Sequence, residues 1–353
     1  MTKSPFPPTL PPADGMARAT ALTRAGRLGE ATALIQQMLG AGGAQAVPPP
    51  PREPLGATLR RIARGGMPEG GTRAPPRTDG RMTSHCYRGP AGTRDYLLCV
   101  PDAPPPGLMP VVVMLHGCTQ TPQDFAAGTG MNALAQARGM IVVWPAQSGG
   151  ANMNRCWNWF RPEDQARDRG EPAILAAIVA QVIATQAADP ARVYVAGLSA
   201  GGAAAATLAQ AYPDVFAAVG VHSGLAAGAA RDVAGAFAAM RGGAPGQVPA
   251  RRLPTIVFHG TADTTVAVAN APNVARQGLT GQPKVAEGTA PGGRRYRQTA
   301  LMGPDGRSLG EVWLIDGAGH AWSGGSAAGS YTDPQGPDAA AEMLRFFAQH
   351  RLG

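Results

Sequence analysis

The chain has 353 residues, of which 44% are hydrophobic and 15% are charged, and this composition excludes an intrinsically disordered protein. The net charge of +8 comes mostly from Arg residues scattered through Ala- and Gly-rich sequence, so no nucleic-acid partner is predicted, because such a partner requires clustered basic residues or a binding motif. No apolar run approaches the roughly 20 residues of a membrane-spanning helix, and we therefore expect no membrane span.

Residues 1–80 are rich in Pro, Gly and Arg, and spacers such as PFPPTLPP and VPPPPREP resist regular structure. Between the spacers, apolar residues recur at helical spacing, which predicts helices over about 16–39 and 55–64. We therefore expect an N-terminal extension over residues 1–80 and one larger domain over 81–353. The apolar helix faces would pack on that domain, on a second copy of the chain, or on a hydrophobic granule or polymer surface.

From about residue 82, strand-length apolar runs alternate with helical patterns. The segment CYRGPAGTRDYLLCVP predicts a β-hairpin around residues 89–92. Further strands are predicted over 109–117, 140–145, 191–198, 218–224, 254–260 and 311–317, and helices over 131–138, 172–189 and 338–350. This alternation predicts an α/β fold with a mostly parallel central sheet and helices on both faces. Ligands of such sheets bind beyond the carboxyl ends of the strands.

A G-x-S-x-G pentad stands at residues 197–201, between the strand pattern RVYVA and an Ala-rich helical pattern. In this context the serine, Ser199, lies on a sharp strand-to-helix turn that exposes its hydroxyl as a nucleophile. The flanking glycines leave out Cβ atoms that would clash at the turn. The oxyanion formed by nucleophilic attack needs two N–H donors, and we predict those of Ala200 and of Cys118 in the loop after the strand at 109–117.

A serine nucleophile needs a base that takes its proton, and in this arrangement the base is a histidine later in the chain. His320 is our prediction, because it follows the predicted strand EVWLI in a Gly-rich loop. The other histidines fit less well. His85 precedes the sheet, and His222 follows the serine too closely. His116 and His259 each stand before Gly at a strand end, where packing is expected, and His350 lies on the last helix.

The acid that orients the histidine should lie between the serine and the histidine in the chain. Asp263 shortly follows the predicted strand TIVFHG and is our prediction. Asp316 is the rival, but it lies four residues before His320 on the same strand end and would have to reach back around a tight turn. Asp214 stands near a helix end and is expected at the surface.

Four cysteines, Cys86, Cys99, Cys118 and Cys156, are too few for a disulfide framework and lack zinc-type spacing. A Cys86–Cys99 bridge across the hairpin, a Cys118–Cys156 bridge and no bridge at all remain open. A disulfide would imply an oxidising compartment. The opening sequence MTKSPFPPTLPPADG lacks the apolar run of a secretory signal and favours the cytoplasm, so localisation is undecided between the cytoplasm and the exterior.

The segment CWNWF at residues 156–160 holds Trp157 and Trp159 within a chain of only 5% aromatic residues. Such local density is typical of a core or an interface, and equally of a wall that binds the acyl part of an ester. In the second interpretation these two residues and Trp322, beside His320, would contact the substrate. A Cys118–Cys156 bridge would pin this segment against the predicted oxyanion donor.

The motifs LHGCTQ, NRCWNWF, GLSAGG, HGTAD and GHAWSGG, in this order, resemble those of the polyhydroxybutyrate (PHB) depolymerase family of esterases, which is related to feruloyl and acetylxylan esterases. The resemblance covers about residues 82–350 and implies that residues 81–353 form an α/β-hydrolase catalytic domain. It further implies that Ser199, Asp263 and His320 form a catalytic triad that cleaves 3-hydroxyalkanoate esters through an acyl-enzyme, without a metal or organic cofactor.

Several alternatives stay open at this stage. The substrate could be poly- or oligo-3-hydroxybutyrate, a ferulate or acetate ester of plant polysaccharide, or a short-chain ester in general. A non-catalytic protein associated with a polymer or granule is a hypothesis from a different class, which the complete set of Ser, Asp and His disfavours. The sequence does not predict the oligomeric state, nor whether residues 225–250 or 278–298 form a lid.

Overall fold

The structure is a computed structural model that describes residues 82–353. Its strands are β1 (Met82–Gly89), β2 (Gly92–Cys99), β3 (Met109–Leu115), β4 (Ile141–Pro145), β5 (Ala188–Leu198), β6 (Ala218–His222), β7 (Thr255–Gly260), β8 (Gln282–Thr289), β9 (Arg295–Met302), β10 (Ser308–Ile315), β11 (Trp322–Ser323) and β12 (Thr332–Asp333). Its α-helices are α1 (Pro122–Thr129), α2 (Met131–Ala137), α3 (Gly170–Thr185), α4 (Ala200–Ala211), α5 (Val233–Gly242), α6 (Asn270–Ala275) and α7 (Ala339–Phe347). None of these helices is long and apolar enough to cross a membrane. The predicted extension over residues 1–80, with its two helices, lies outside the described residues.

Ten of the described strands form one sheet in the order β1-β2-β4-β3-β5-β6-β7-β10-β9-β8. The six central strands, from β4 to β10 in this order, are parallel to one another. The hairpin β1–β2 and the strands β9 and β8 extend the two edges through antiparallel pairing. The short strands β11 and β12 pair separately with each other. The predicted α/β fold with a mostly parallel sheet is confirmed.

The central strands are buried on both faces, because successive side chains point into two different hydrophobic clusters. Along β3, Val111 and Val113 pack with residues of α3 and α4, whereas Val112 and Met114 pack with residues of α1, α2 and α7. The helices therefore cover both faces of the sheet, as predicted. This double burial explains why the strands appear in the sequence as continuous apolar runs.

Several described elements were not predicted from the sequence. Residues 278–298, considered above as a lid, contain β8 and the start of β9 and thus extend the sheet edge, while residues 225–250 contain α5. Strand β8 (QPKVAEGT) is exposed along almost its entire length, so it lacks the buried apolar alternation that identifies a strand. Tertiary pairing with β9, rather than a local signal, forms this strand.

The predicted hairpin is confirmed by the pairing of β1 with β2. Its register places Cys86 opposite Asp95 and Cys99 opposite Met82. Because the two cysteines do not face each other, the Cys86–Cys99 bridge considered above does not form.

The glycines of the pentad allow α4 to approach the sheet closely. A Cβ atom added at Gly201 would lie 2.1 Å from the carbonyl oxygen of Leu115 on β3, and one added at Gly197 would lie 2.4 Å from the backbone of Gly201. Atoms cannot approach this closely, so any side chain here would push α4 away from β3. The position of the turn between β5 and α4 therefore depends on these two glycines.

We expect Gly201→Ala to destabilise the protein by roughly 1–3 kcal/mol or more, because the added methyl group overlaps backbone that cannot move independently of the sheet. Gly242→Ala is the matched control, since Gly242 is also helical but a Cβ there meets nothing within 4 Å. That change should raise the free energy of unfolding by roughly 0.5–1 kcal/mol. Urea unfolding of both variants measures the difference, and equal stability of the two would contradict the close-approach argument.

Candidate active site

Ser199 lies at the turn where β5 ends and α4 begins. Its backbone angles, φ 58° and ψ −121°, fall outside the regions that residues with a Cβ atom ordinarily adopt. Two hydrogen bonds hold it there: its N–H donates to the carbonyl of His222 on β6 at 2.9 Å, and its carbonyl accepts the N–H of Ala203 in α4 at 3.0 Å. This is the geometry of a nucleophile elbow, which presents a serine hydroxyl at the edge of the sheet.

His320 and Asp263 form a hydrogen-bonded pair. Nδ1 of His320 lies 2.7 Å from Oδ2 of Asp263, and the other carboxylate oxygen accepts the N–H groups of Thr265 and Val266 at 2.9 and 2.8 Å. Burial alone would raise the pKa of Asp263, but the hydrogen bond from His320 and those from the backbone hold this pKa below its ordinary value. The ionised carboxylate therefore accepts the Nδ1 proton, and Nε2 of His320 is left to accept another.

Ser199, Asp263 and His320 follow β5, β7 and β10, respectively, and these parallel strands have their carboxyl ends at one edge of the sheet. Strand β6 lies between β5 and β7, and its last residue, His222, links the loops on either side. The His222 carbonyl holds Ser199, and its Nε2 accepts the N–H of Ser323, three residues after His320, at 2.9 Å.

His222 is a neutral positioning residue. Because Nε2 accepts the Ser323 N–H, the ring carries its proton on Nδ1, which lies 3.2 Å from the hydroxyl oxygen of Ser223. Complete burial lowers the pKa of His222 well below its ordinary value, and this keeps the ring uncharged. A histidine whose two nitrogens are both engaged in this way cannot serve as the base for Ser199.

His116 and His259 hold loops in place, which is the packing role expected for them from the sequence. Nδ1 of His116 donates to the carbonyl of Gly117 at 2.8 Å while Nε2 accepts the N–H of Gln147 at 3.1 Å. Burial lowers the pKa of His116 to about 4, so the ring stays neutral. Nε2 of His259 donates to the carbonyl of Val266 at 2.8 Å.

The two other acids considered from the sequence lie elsewhere. Asp316 is exposed, and its carboxylate accepts the Thr261 hydroxyl at 3.5 Å. Asp214 forms an exposed ion pair with Arg167 at 2.6 Å. Within residues 82–353, neither acid forms a hydrogen bond with His320, which leaves Asp263 as its carboxylate partner.

Residues 116–120 follow β3 beside the elbow. We call them the oxyanion loop because they include Cys118, a predicted oxyanion donor. Gly117 donates its N–H to the side-chain oxygen of Gln120 at 2.9 Å, and Thr119 donates its N–H to the carbonyl of Asn154 at 2.7 Å. Within the described part of the chain, the N–H groups of Cys118 and Ala200 have no hydrogen-bond acceptor. Neither predicted oxyanion donor is therefore already engaged by an acceptor among these residues.

A disulfide joins Cys118 of the oxyanion loop to Cys156. It ties this loop to the segment at 156–160, and the backbone bond between Thr119 and Asn154 runs beside it. Of the alternatives that the sequence left open, the structure contains the Cys118–Cys156 bridge.

A buried polar network, which was not predicted from the sequence, also holds the segment at 156–160. Glu171, in the first turn of α3, accepts the backbone and side-chain N–H groups of Asn158, both at 2.8 Å, and a side-chain N–H of Gln147. Gln147 also donates to the Cys156 carbonyl at 2.9 Å and accepts from Arg94. Burial raises the pKa of Glu171. The only sequence signal was an acid in a helix's first turn, which ordinarily indicates capping.

The tryptophans predicted to bind substrate have different environments. Trp157 is fully buried, packs in the core and donates its indole N–H to the His116 carbonyl at 3.0 Å, and Trp322 is 1% exposed and stacks on His222. The expectation of a substrate wall is therefore corrected for these two: their faces are covered by protein, so they support the loops. Trp159 is 5% exposed and packs in a cluster with Ala200, next to the elbow.

The fold and this arrangement at the sheet edge define an α/β-hydrolase. The chain belongs to the esterase PHB depolymerase family, whose model matches residues 95–299, a span that includes Ser199 and Asp263 and ends before His320.

Curated relatives agree with this membership, and a solved structure shares the fold. The chain is 35% identical over 236 residues to poly(3-hydroxyalkanoate) depolymerase C of Paucimonas lemoignei, covering 61% of this chain and 55% of that protein. It is 34% identical over 122 residues to feruloyl esterase B of Thermothelomyces thermophilus, covering 34% of this chain and 41% of that protein. The chain thus spans about half of these relatives' length or less. The fold is similar to that of acetyl xylan esterase from Aspergillus awamori, with TM-score 0.60 and 20% identity over 76% of this chain and 99% of that one.

Removing the disulfide should impair both stability and catalysis. For the double variant Cys118→Ala/Cys156→Ala we expect a loss of roughly 2–4 kcal/mol in unfolding free energy. We also expect a lower kcat on p-nitrophenyl butyrate, because the Cys118 N–H is no longer held. Cys86→Ala, outside the disulfide, is the control and should change both values little. A double variant with the kcat and thermal midpoint of the wild type would contradict this role.

Acidification should destabilise the fold through its buried histidines. The pKa of His116 and that of His350 are lowered by burial to about 4 in the folded state, while the unfolded chain binds these protons at a pKa near 6.5. The stabilisation that comes from burying these neutral rings is therefore complete above pH 6.5. As the pH falls toward 4, the free energy of unfolding decreases by about 1.4 kcal/mol per pH unit for each histidine.

Urea unfolding at pH 7.0, 6.0 and 5.0 measures this dependence. His350→Gln should flatten it, because one of the titrating groups is removed. A free energy of unfolding that is constant from pH 7.0 to 5.0 in the wild type would rule out neutral burial of these rings.

Proposed function

We propose that the protein is a serine carboxylic-ester hydrolase that cleaves poly- or oligo-3-hydroxybutyrate through an acyl-enzyme. The observation that carries the proposal is the His320–Asp263 hydrogen bond of 2.7 Å at the sheet edge where Ser199 occupies its strained elbow. An ionised, buried carboxylate fixes the imidazole with Nε2 unprotonated, which is the form that accepts the proton of a serine hydroxyl.

In the first half of the proposed reaction, Oγ of Ser199 attacks the ester carbonyl carbon while Nε2 of His320 takes the hydroxyl proton. The carbonyl oxygen becomes an oxyanion that accepts the unpaired N–H groups of Cys118 and Ala200. Each donor of this kind stabilises the transition state by roughly 2.7–4 kcal/mol. When the intermediate collapses, the bond to the alcohol oxygen breaks, His320 gives that oxygen its proton, and the acyl group remains on Ser199.

In the second half, a water molecule takes the place of the released alcohol. His320 removes one proton from it as its oxygen attacks the acyl carbon, and the same two N–H groups bind the second oxyanion. Collapse breaks the bond to Oγ, which regains its proton from His320. The balance is one ester and one water consumed, one carboxylic acid and one alcohol released. Asp263 keeps its charge throughout and stabilises the transient imidazolium.

The polyester substrate is supported by the family membership and by the extent of the similarity. The alignment with poly(3-hydroxyalkanoate) depolymerase C covers 61% of the chain, whereas that with feruloyl esterase B covers 34%. A feruloyl or acetylxylan esterase is the second candidate, favoured by the 34% identity to feruloyl esterase B over 122 residues. The disulfide between Cys118 and Cys156 supports an oxidising compartment as the site of action.

The triad is tested by the kcat of single variants on p-nitrophenyl butyrate. We expect Ser199→Ala to lower kcat by at least about 10⁴-fold and Asp263→Asn by about 10⁴-fold, the latter because the imidazole loses its acceptor and its preferred tautomer. Asp316→Asn is a matched control at an exposed carboxylate and should keep kcat within about twofold. Activity that survives in Ser199→Ala, or an equal loss in Asp316→Asn, would contradict the assignment.

The substrate is tested separately, with amorphous PHB, 3-hydroxybutyrate trimer, methyl ferulate and acetylated xylan. We expect the trimer and the polymer to be cleaved with kcat/KM at least tenfold above that of the plant esters, and Ser199→Ala to abolish the cleavage. A preference for methyl ferulate or acetylated xylan would reject the polyester substrate while leaving the ester-hydrolase mechanism intact.

A further inference from the structure

Tyr331, which the sequence analysis did not single out, is an exposed aromatic residue with a strained backbone. Nearly half of it, 48%, is accessible to solvent, and its φ of 52° lies in the left-handed region. A glycine would adopt this conformation without strain, whereas a side chain with a Cβ atom raises its energy. Strain of this kind persists where the surrounding structure enforces it, and it concentrates at functional sites.

The Tyr331 hydroxyl is fixed to the oxyanion loop. Its oxygen lies 3.2 Å from Oγ1 of Thr119, and that Oγ1 donates to the carbonyl of Cys118 at 2.5 Å. Because the Thr119 proton is used on this carbonyl, the phenol must be the donor to Thr119. Thr119 is itself exposed and also has a positive φ, of 66°. Two strained, exposed residues therefore meet next to a proposed oxyanion donor.

The backbone of Tyr331 is fixed to the loop that carries His320. Its carbonyl accepts the N–H of Trp322 at 2.7 Å, and the next residues pair as β11 with β12. Ser330 is held against α1, since its N–H and hydroxyl both donate to the carboxylate of Asp124, at 2.9 and 2.5 Å. Tyr331 thus connects the oxyanion loop, through its hydroxyl, with the His320 loop, through its backbone carbonyl.

We propose that the ring of Tyr331 is a substrate-binding surface for the apolar part of the ester beyond the reacting carbonyl, which in a polyester is the neighbouring 3-hydroxyacyl unit. The inference rests on the proposed function and specifies how that site selects its substrate. Since the hydroxyl is bound to Thr119, the ring presents carbon atoms to solvent, and these favour alkyl groups over polar ones. A ring held at both ends binds with little loss of conformational entropy.

The test compares Tyr331→Ala, Tyr331→Gly and Tyr331→Phe with the wild type. For each, kcat/KM is measured on 3-hydroxybutyrate trimer and on p-nitrophenyl acetate, whose acyl group has no neighbouring unit. We expect the ratio of trimer to acetate to fall about tenfold in the Ala and Gly variants, mainly through KM of the trimer. In Tyr331→Phe, which keeps the ring and loses its anchor, the ratio should fall by about threefold.

The stability of Tyr331→Gly separates binding from a structural role. Because glycine relieves the strain, its thermal midpoint should equal or exceed that of the wild type while the substrate ratio falls. Asp168→Gly is the matched control: Asp168 is exposed with φ 61° and contacts Tyr212 at the end of α4 opposite to Ser199. This variant should leave the ratio unchanged. A Tyr331→Gly protein with a lowered midpoint and equal losses on both substrates would overturn the inference.

The outcome can be distinguished from a failure of the proposed function. If the wild type does not cleave the trimer, the polyester proposal fails, and the same variants are compared on p-nitrophenyl butyrate against p-nitrophenyl acetate. A ratio that falls in Tyr331→Ala and Tyr331→Gly then supports the ring as the surface for the longer acyl chain. A ratio that does not change in any Tyr331 variant, on either pair of substrates, overturns the inference.

Discussion

The close approach of α4 to β3 is the constraint on which the rest of the site depends. Without Cβ atoms at Gly197 and Gly201, the helix lies against the backbone of Leu115, and the chain must turn sharply enough to force Ser199 to φ 58°. The same approach brings the start of α4 beside the loop that follows β3, so the free N–H groups of Ala200 and Cys118 belong to adjoining segments. One packing requirement therefore places the Ser199 turn next to the two proposed oxyanion donors.

The proposed base differs from the other buried histidines in what its ring nitrogens contact. His222, His116 and His259 lie at the ends of neighbouring or nearby strands, and each has a ring nitrogen committed to a backbone group. Burial lowers the pKa of each one, so they hold loops as neutral rings. His320 differs because its Nδ1 meets the ionised Asp263. Nε2 of His259 lies 3.6 Å from the same carboxylate oxygen, but it donates to the Val266 carbonyl, so the short bond to Asp263 distinguishes the proposed base from the other histidines.

The sequence predicted the elements whose signals are local or mechanistic. The six central strands follow from continuous apolar runs, and Asp263 and His320 follow from the order that a serine elbow requires. It did not predict β8, whose exposed side chains carry no pattern, or the network of Glu171 and Gln147, which long-range packing assembles. For Trp157 and Trp322 the sequence left a core role and a substrate wall open, because composition cannot distinguish a covered aromatic from an open one, and in the structure both rings are covered. Tyr331 gave no signal, since a strained φ is visible only in the folded chain.

The proposed acylation of Ser199, with His320 as the activating base, can be tested by trapping the nucleophile. The protein is incubated with diethyl p-nitrophenyl phosphate, which phosphorylates activated serines, and its peptides are mapped by mass spectrometry. We expect one stoichiometric diethyl phosphate adduct on Ser199, formed at least about 100-fold more slowly in His320→Ala. An adduct on another serine, or modification of Ser199 at an equal rate without His320, would contradict it.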